Sequence, residues 1–284
     1  MHLATLMTPS GPRAFARLGD EYVDLHDADS QLPRSVRKIL DDGLLGRVKE
    51  AAERGRTRIH VSQARLGPPI FNPPKILCIG LNYRDHAIEG GKAIPTEPVL
   101  FGKFTNALCG HGDPIRLPKV SHKVDYEAEL VIVIGQRGRD ISEADALRYV
   151  AGYTIGHDVS ARDWQMRGEA KQWIIGKTFD TFGPCGPELV TADEVPDPHN
   201  LRIQLRINGR TMQDSNTREF IFGVPQLIAY LSQVMTLEPG DLIFTGTPPG
   251  VGFARKPPVW LQPGDIVEVE IDGLGILRNP VIQG

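Results

Sequence analysis

The chain has 284 residues, 40 % of them hydrophobic and 24 % charged, with 32 basic against 35 acidic side chains. That balance belongs to a folded globular protein and excludes a disordered or fibrous chain, and a net charge of −3 gives no electrostatic ground for a nucleic-acid partner. The three cysteines, Cys78, Cys109 and Cys185, are odd in number and lack metal-ligand spacing, which argues against disulfides or a zinc site and for a reducing cytoplasm.

Residues 1–15 carry no charged segment followed by a continuous apolar run, and no stretch approaches the roughly 18 apolar residues of a membrane span. A soluble, intracellular protein without a membrane partner is expected. Short strands over residues 13–18 and 21–25 and a helix over 35–54 make a small N-terminal α/β module. The run Gly67-Pro68-Pro69-Ile70-Phe71-Asn72-Pro73-Pro74 is too rich in proline for any regular element. It reads as a linker that divides the chain into residues 1–68 and a main domain over 69–284.

From Lys75 onward strand signals dominate, first over residues 75–80 and more clearly over 129–134. Leu201, Ile203, Leu205 and Ile207 alternate with Arg202, Gln204 and Arg206 and then meet Asn208-Gly209, the pattern of a half-buried strand entering a tight hairpin. Ile266, Val267, Val269 and Ile271 interleave with Glu268 and Glu270 and end at Asp272-Gly273. Helical spacing joins Val224, Leu227, Ile228, Leu231 and Val234, and also Ala146, Leu147 and Val150 behind a Ser142 cap. With no internal repeat and no steady βαβ alternation, the expected class is α+β and rich in strand.

The stretch Asp125-Tyr126-Glu127-Ala128-Glu129 runs directly into Leu130-Val131-Ile132-Val133-Ile134. Residues two apart on a strand share a face, so Asp125, Glu127 and Glu129 project together at the mouth of a buried strand. Like charges held this close are destabilising without a cation between them. A bare Glu-x-Glu also occurs as two harmless acids at an exposed strand end, but Asp158 argues against that reading. It ends a second strand, Tyr153-Thr154-Ile155-Gly156-His157-Asp158, where Ser160 and Asp163 resemble a helix cap and its box partner. His157 is assigned to packing. An all-oxygen donor set selects Mg²⁺, Mn²⁺ or Ca²⁺ over zinc or copper.

His86 and Glu89 lie three apart, so one helical turn sets imidazole and carboxylate side by side, a pair suited to general-base work. Gly90-Gly91 beyond them would let the segment move as a lid. On spacing alone a surface His-Glu pair explains the same pattern. Lys177 stands in Gly176-Lys177-Thr178, yet a phosphate loop would need a glycine where Lys171 stands, so that reading fails. Thr245 to Gly252 leaves the strand signal Leu242-Ile243-Phe244 through two prolines and several glycines, a backbone able to approach an anion closely.

Five stretches, in order from Lys75 to the C-terminus, resemble the fumarylacetoacetate hydrolase family, most closely its short domain-containing members. They are Gly80-Leu81-Asn82-Tyr83-Arg84-Asp85-His86, Asp125-Tyr126-Glu127-Ala128-Glu129, and His157-Asp158-Val159-Ser160-Ala161-Arg162-Asp163-Trp164-Gln165. Gly176-Lys177-Thr178-Phe179-Asp180-Thr181-Phe182-Gly183-Pro184 and Thr245-Gly246-Thr247-Pro248-Pro249-Gly250-Val251-Gly252 complete the set. The resemblance implies a mixed β-roll or sandwich fold and a homodimer or larger assembly. It also implies Glu127, Glu129 and Asp158 as Mg²⁺ or Mn²⁺ ligands, and a His86–Glu89 dyad on a lid. Lys177 becomes a cation beside the metal, Arg162, Gln165 and Thr247 become substrate contacts, and Asp125 falls back to a supporting role.

The chemistry that follows is metal-dependent work on a small 2-oxo acid. Hydrolysis of a C–C bond in acylpyruvate-type 2,4-dioxo acids comes first, with His86 activating water and a metal-bound enolate as the leaving fragment. The same electrophilic site could decarboxylate oxaloacetate or interconvert its keto and enol forms, or isomerise or hydrate 2-hydroxy-dienedioates; family resemblance does not choose among these. A non-catalytic metal or oxo-acid binding protein is the reading from another class, and it would have no use for His86, Glu89 and Lys177.

Overall fold

Every residue of the strand Ala128–Ile134 is buried, and its two faces look into different apolar layers. Leu130, Ile132 and Ile134 pack with Tyr153 and Ile155 and with Ile203, Leu205, Val267 and Leu277 of a second sheet. Val131 and Val133 pack on the opposite side with Cys78, Leu242 and Phe244 and with Ile39, Leu40 and Val48 of two helices. A strand covered on both faces reads as an unbroken apolar run, which is why residues 130–134 do not alternate.

The computed structural model describes residues 1–89, 91, 93–169 and 172–284. Among these, an 11-stranded mixed sheet runs in the order Arg58–His60, Glu21–Asp24, Gly11–Leu18, His2–Thr8, Gly183–Thr191, Val150–His157, Ala128–Ile134, Leu242–Phe244, Ile76–Gly80 and Val99–Gly102, with Leu108–Cys109 beside Gly183–Thr191. Leu242–Phe244 and Ile76–Gly80 pair in parallel, whereas the central pairs are antiparallel. The second sheet runs Arg210–Asn216, Arg202–Ile207, Ile266–Ile271, Gly275–Gln283 and Ile115–Leu117. It packs on the first through the layer that holds Leu130 and Ile132, an arrangement of sheet on sheet. The strand-rich α+β class expected from sequence is the class observed.

The N-terminal strands extend the large sheet, because His2 and Leu3 pair with Val190 and Leu189. The proline run at 67–74 has no regular element, as expected, yet it is packed. Ile70 is buried and Thr5 Oγ1 donates to Pro69 O at 2.8 Å. The single helix expected over 35–54 is two helices, Val36–Asp41 and Leu45–Arg54, separated at Gly43, whose φ of 67° breaks helical geometry. The segment behind Ser142 forms one 3₁₀ turn, Ala146–Tyr149, because Val150 already begins a sheet strand. Asn208 and Gly209 both hold positive φ, as the tightest hairpins require. Among the described residues no helix is long and apolar enough to cross a membrane.

Candidate metal and catalytic site

Strand register brings the three carboxylates together. Ala128 pairs with His157 and Glu129 with Gly156, and one step further Asp158 N–H donates to Glu127 O at 2.9 Å. Opposed residues of an antiparallel pair project to the same face, so Glu127, Glu129 and Asp158 converge at one end of the sheet. One oxygen from each lies within 4.8 Å of the other two, and all three residues are buried. Asp125 shares their strand phase but is turned away. Its carboxylate accepts from Gly252 N at 2.7 Å, Phe253 N at 3.1 Å and Arg162 Nε at 2.8 Å.

The charges around this cluster are uneven. Burial pushes the Glu127 carboxyl up, but Arg162 and Lys177 outweigh it and hold the group well below the usual carboxylate range. Lys177 Nζ lies 2.7 Å from Glu127 Oε2 and 2.6 Å from Asp158 Oδ2, and Arg162 Nη2 lies 2.5 Å from Glu127 Oε1. Glu129 accepts from Gly246 N at 2.9 Å. Burial, Asp158 and Glu127 together push its carboxyl well above the ordinary value. A group in that position becomes a stable carboxylate when a further cation sits between it and its neighbours.

These residues fit a divalent metal. Their donors are all carboxylate oxygen, as hard cations prefer. Four carboxylates, those of Asp125, Glu127, Glu129 and Asp158, face three cations, Lys103, Lys177 and Arg162. A divalent ion together with one substrate carboxylate would bring the fully ionised set to neutrality.

A cavity of about 440 Å³ opens on the triad, and all nine residues singled out from sequence line it. His86 Nδ1 lies 3.2 Å from Glu89 Oε2 on the helix Arg84–Glu89, as the i, i+3 spacing requires. Glu89 also accepts from Gly250 N at 3.0 and 3.2 Å. Burial pushes this carboxyl up, yet the bonds from His86 and Gly250 N–H outweigh it and hold it below its ordinary range. Gly90, half of the expected lid hinge, lies outside the described residues. Ile79, Phe101, Trp173, Val251 and Phe253 give the cavity apolar walls.

Of the expected substrate contacts, Arg162 is the most occupied. Its guanidinium donates to Asp125 and Glu127 and, through Nη1, to Gln165 Oε1 at 2.8 Å. Thr247 Oγ1 accepts from Gln213 Nε2 at 2.9 Å, which leaves the hydroxyl proton available to donate. Gln213 escaped the sequence reading although it is buried; it also caps Ala128 N–H at 2.9 Å and Pro248 O at 2.8 Å. Lys103 escaped it too. The Ser160–Asp163 capping box does not form. Ser160 lies in the short strand Ser160–Ala161 and donates to Asp158 O at 2.9 Å, while Asp163 accepts from Ser121 Oγ at 2.6 Å and His122 N at 3.1 Å. His157 is fully buried and held neutral, its pKa lowered to about 3 by burial and the nearby Lys103, in keeping with a packing role.

Residues 75–282 match the family described as fumarylacetoacetate hydrolase, C-terminal. The chain is 50 % identical over 266 residues to a mitochondrial oxaloacetate tautomerase of Xenopus laevis, covering 93 % of this chain and 83 % of that protein. Its structure is similar to that of a fumarylacetoacetate hydrolase from Exiguobacterium antarcticum, with a TM-score of 0.89, 35 % identity and all of both chains covered. It is similar as well to maleylpyruvate hydrolase from Sphingobium sp. SYK-6 in complex with manganese(II) and pyruvate, with a TM-score of 0.82, 34 % identity and all of both chains covered. The cytoplasmic placement drawn from the cysteines is corrected by these relatives, since the Xenopus protein is mitochondrial by name. Three buried free thiols mark a chain without disulfides and do not tell one reducing compartment from another.

Proposed function

The chain belongs to the fumarylacetoacetate hydrolase family, and we propose that it enolises 2-oxo acids with a divalent metal, its reaction being keto–enol interconversion of oxaloacetate. One observation carries this reading: the buried Glu127–Glu129–Asp158 cluster and the His86–Glu89 pair open on a single cavity. Magnesium or manganese held by the three carboxylates would supply a Lewis acid and template for a carboxylate and its neighbouring 2-oxo group. The manganese in the maleylpyruvate hydrolase structure supports that pair of metals.

His86 Nδ1 faces Glu89, so Nε2 is the nitrogen that takes a proton from the carbon beside the 2-oxo group and passes it to the 2-oxo oxygen, giving the enol, and reverses the transfer for the keto form. Glu89 fixes the ring and offsets the charge the imidazole acquires. Lys177 sets a cation beside the substrate oxygen on which negative charge collects. Thr247 and Gln165 donate to the substrate, and Arg162, already committed to Glu127, Asp125 and Gln165, orients those groups. Residues 1–68 serve as a structural module, and the protein acts as a homodimer. A single species near the chain mass of 31.3 kDa in light scattering would remove the dimer from the proposal.

Hydrolysis of acylpyruvates is the second reading, favoured by the same dyad, because His86 could instead take its proton from water. Rapid mixing of enol-oxaloacetate with the Mn²⁺-loaded protein, beside an assay for pyruvate released from acetylpyruvate, separates the two. Accelerated loss of the enol without pyruvate release supports tautomerisation. Pyruvate release with no effect on the enol hands the site to hydrolysis. Turnover of neither, with metal bound, would leave only binding of oxo acids.

A further inference from the structure

Lys103 follows the edge strand Val99–Gly102, and its side chain has no exposed surface. Its backbone is fixed to the sheet, N–H donating to Ile76 O at 3.2 Å. A fully buried ammonium costs several kcal/mol unless it is paired, so its partners identify its purpose. Nζ lies 2.5 Å from Asp158 Oδ1, an ion pair rather than an aligned hydrogen bond. The same nitrogen donates to Val159 O at 3.2 Å and to Lys177 O. It therefore touches a candidate metal ligand, the residue after that ligand, and the backbone of the lysine on the ligand's other oxygen. Lys177 Nζ holds Asp158 Oδ2 at 2.6 Å and lines the cavity, whereas Lys103 does not line it.

We infer that Lys103 is a positioning residue of the metal site, pinning Asp158 Oδ1 from behind the cavity and tying the Lys177 backbone to the same point. The inference rests on the metal reading given above. A carboxylate's terminal torsion is soft, so an Asp158 held by Lys177 alone would swing about that single contact and lose a defined donor direction. With one oxygen anchored, the other edge and the Lys177 ammonium face the cavity in a fixed relation. Outer contacts of this kind typically govern about 10- to 100-fold in metal affinity.

Charge and geometry oppose one another here, which makes the inference testable. Lys103→Met removes a positive charge near a cation site, and by Coulomb attraction alone the variant would bind Mn²⁺ more tightly. If anchoring dominates, affinity falls by about 10- to 100-fold instead. Calorimetric titration of MnCl₂ into Lys103→Met and wild-type protein, without substrate, reads that difference independently of any reaction. Equal or tighter binding by the variant overturns the inference. Wild-type protein that takes up neither Mn²⁺ nor Mg²⁺ overturns it together with the metal reading. Should Lys103→Met fail to fold, a crystal structure of the Mn²⁺-loaded wild type decides. Lys103 Nζ on Asp158 Oδ1, with the ion on the other oxygen, supports the inference; Lys103 turned away from Asp158 overturns it.

Discussion

The Nζ of Lys177 stands 2.6 Å from Oδ2 of Asp158, with both side chains almost wholly buried. Burial alone would lower the lysine's pKa, but Asp158 and Glu127 outweigh it and raise the value. Its charge is therefore secure at neutral pH. The stability it lends is complete below the ordinary lysine value of roughly 10.4 and is lost only as pH rises through the higher folded value. We predict that Lys177→Met lowers kcat for the enol reaction by about 10²- to 10³-fold, as removal of a preorganised charge donor does. The loss should be uniform across neutral and mildly alkaline pH. A deficit that grows only on the alkaline side would mean that Lys177 titrates, contrary to its surroundings.

Glu129 is the carboxyl most in need of a counter-ion. Burial first, then Asp158 and Glu127, raise its pKa well above the ordinary value. Below that raised value its neutral form is the stable one in metal-free protein. The associated stability is present in acid and disappears as pH climbs through the folded value. Adding Mn²⁺ at about 100 times its Kd should therefore stabilise wild-type protein by about 2.7 kcal/mol. Glu129→Gln should show little of that gain, and thermal melts with and without the ion measure both. Equal shifts in the two proteins would remove Glu129 from the ligand set.

The His86–Glu89 pair predicts a different pattern. The Glu89 carboxyl is held below its ordinary value despite burial, by the bonds from His86 and Gly250 N–H. It is ionised at neutral pH, and its contribution to stability disappears only as pH falls through that depressed value. His86→Ala should lower turnover by about 10²- to 10⁴-fold, and Glu89→Gln by a smaller part of that range. Mn²⁺ affinity should be unchanged in both. Full-rate turnover by His86→Ala would end its assignment as the base.

Gly250 joins the dyad to the glycine-rich loop and holds a φ of 98°, where a Cβ would fall 2.2 Å from Met212 O. Gly250→Ala should cost about 1–3 kcal/mol of stability in urea unfolding. It should also depress turnover, because Glu89 accepts from Gly250 N–H. Wild-type values on both counts would show that the loop accommodates the methyl group and that its tight approach is dispensable.

Much of the site could be read from sequence because its donors follow a period of two. Glu127 and Glu129 declare a shared face, and Asp158 sits where a strand signal ends. That the two strands meet depends on the Ala128–His157 register, which no local pattern encodes. Lys103 was missed for the same reason. Its flanks, Phe101-Gly102 and Phe104, gave only a lysine in apolar surroundings, and its partners are distant in the chain. The capping pattern at Ser160 and Asp163 had the right spacing but lost to strand pairing, with Ser160 opposite Asp125. The helix expected over 35–54 is interrupted at a signal visible in the sequence, Asp42-Gly43, where the glycine takes a positive φ.

The enclosed strand Ala128–Ile134 and the loops around it divide the site mechanically. Glu129 and its neighbours move only if the packed interior moves, whereas four other cavity residues stand on short segments outside the sheets, His86 and Gln165 on the helices Arg84–Glu89 and Arg162–Gln165, and Thr247 and Phe253 on the stretch after Leu242–Phe244. Drift in those segments can retune which oxo acid is accepted while the ion's seat stays unaltered. Relatives named for tautomerisation and for hydrolysis are the diversity that such a partition allows.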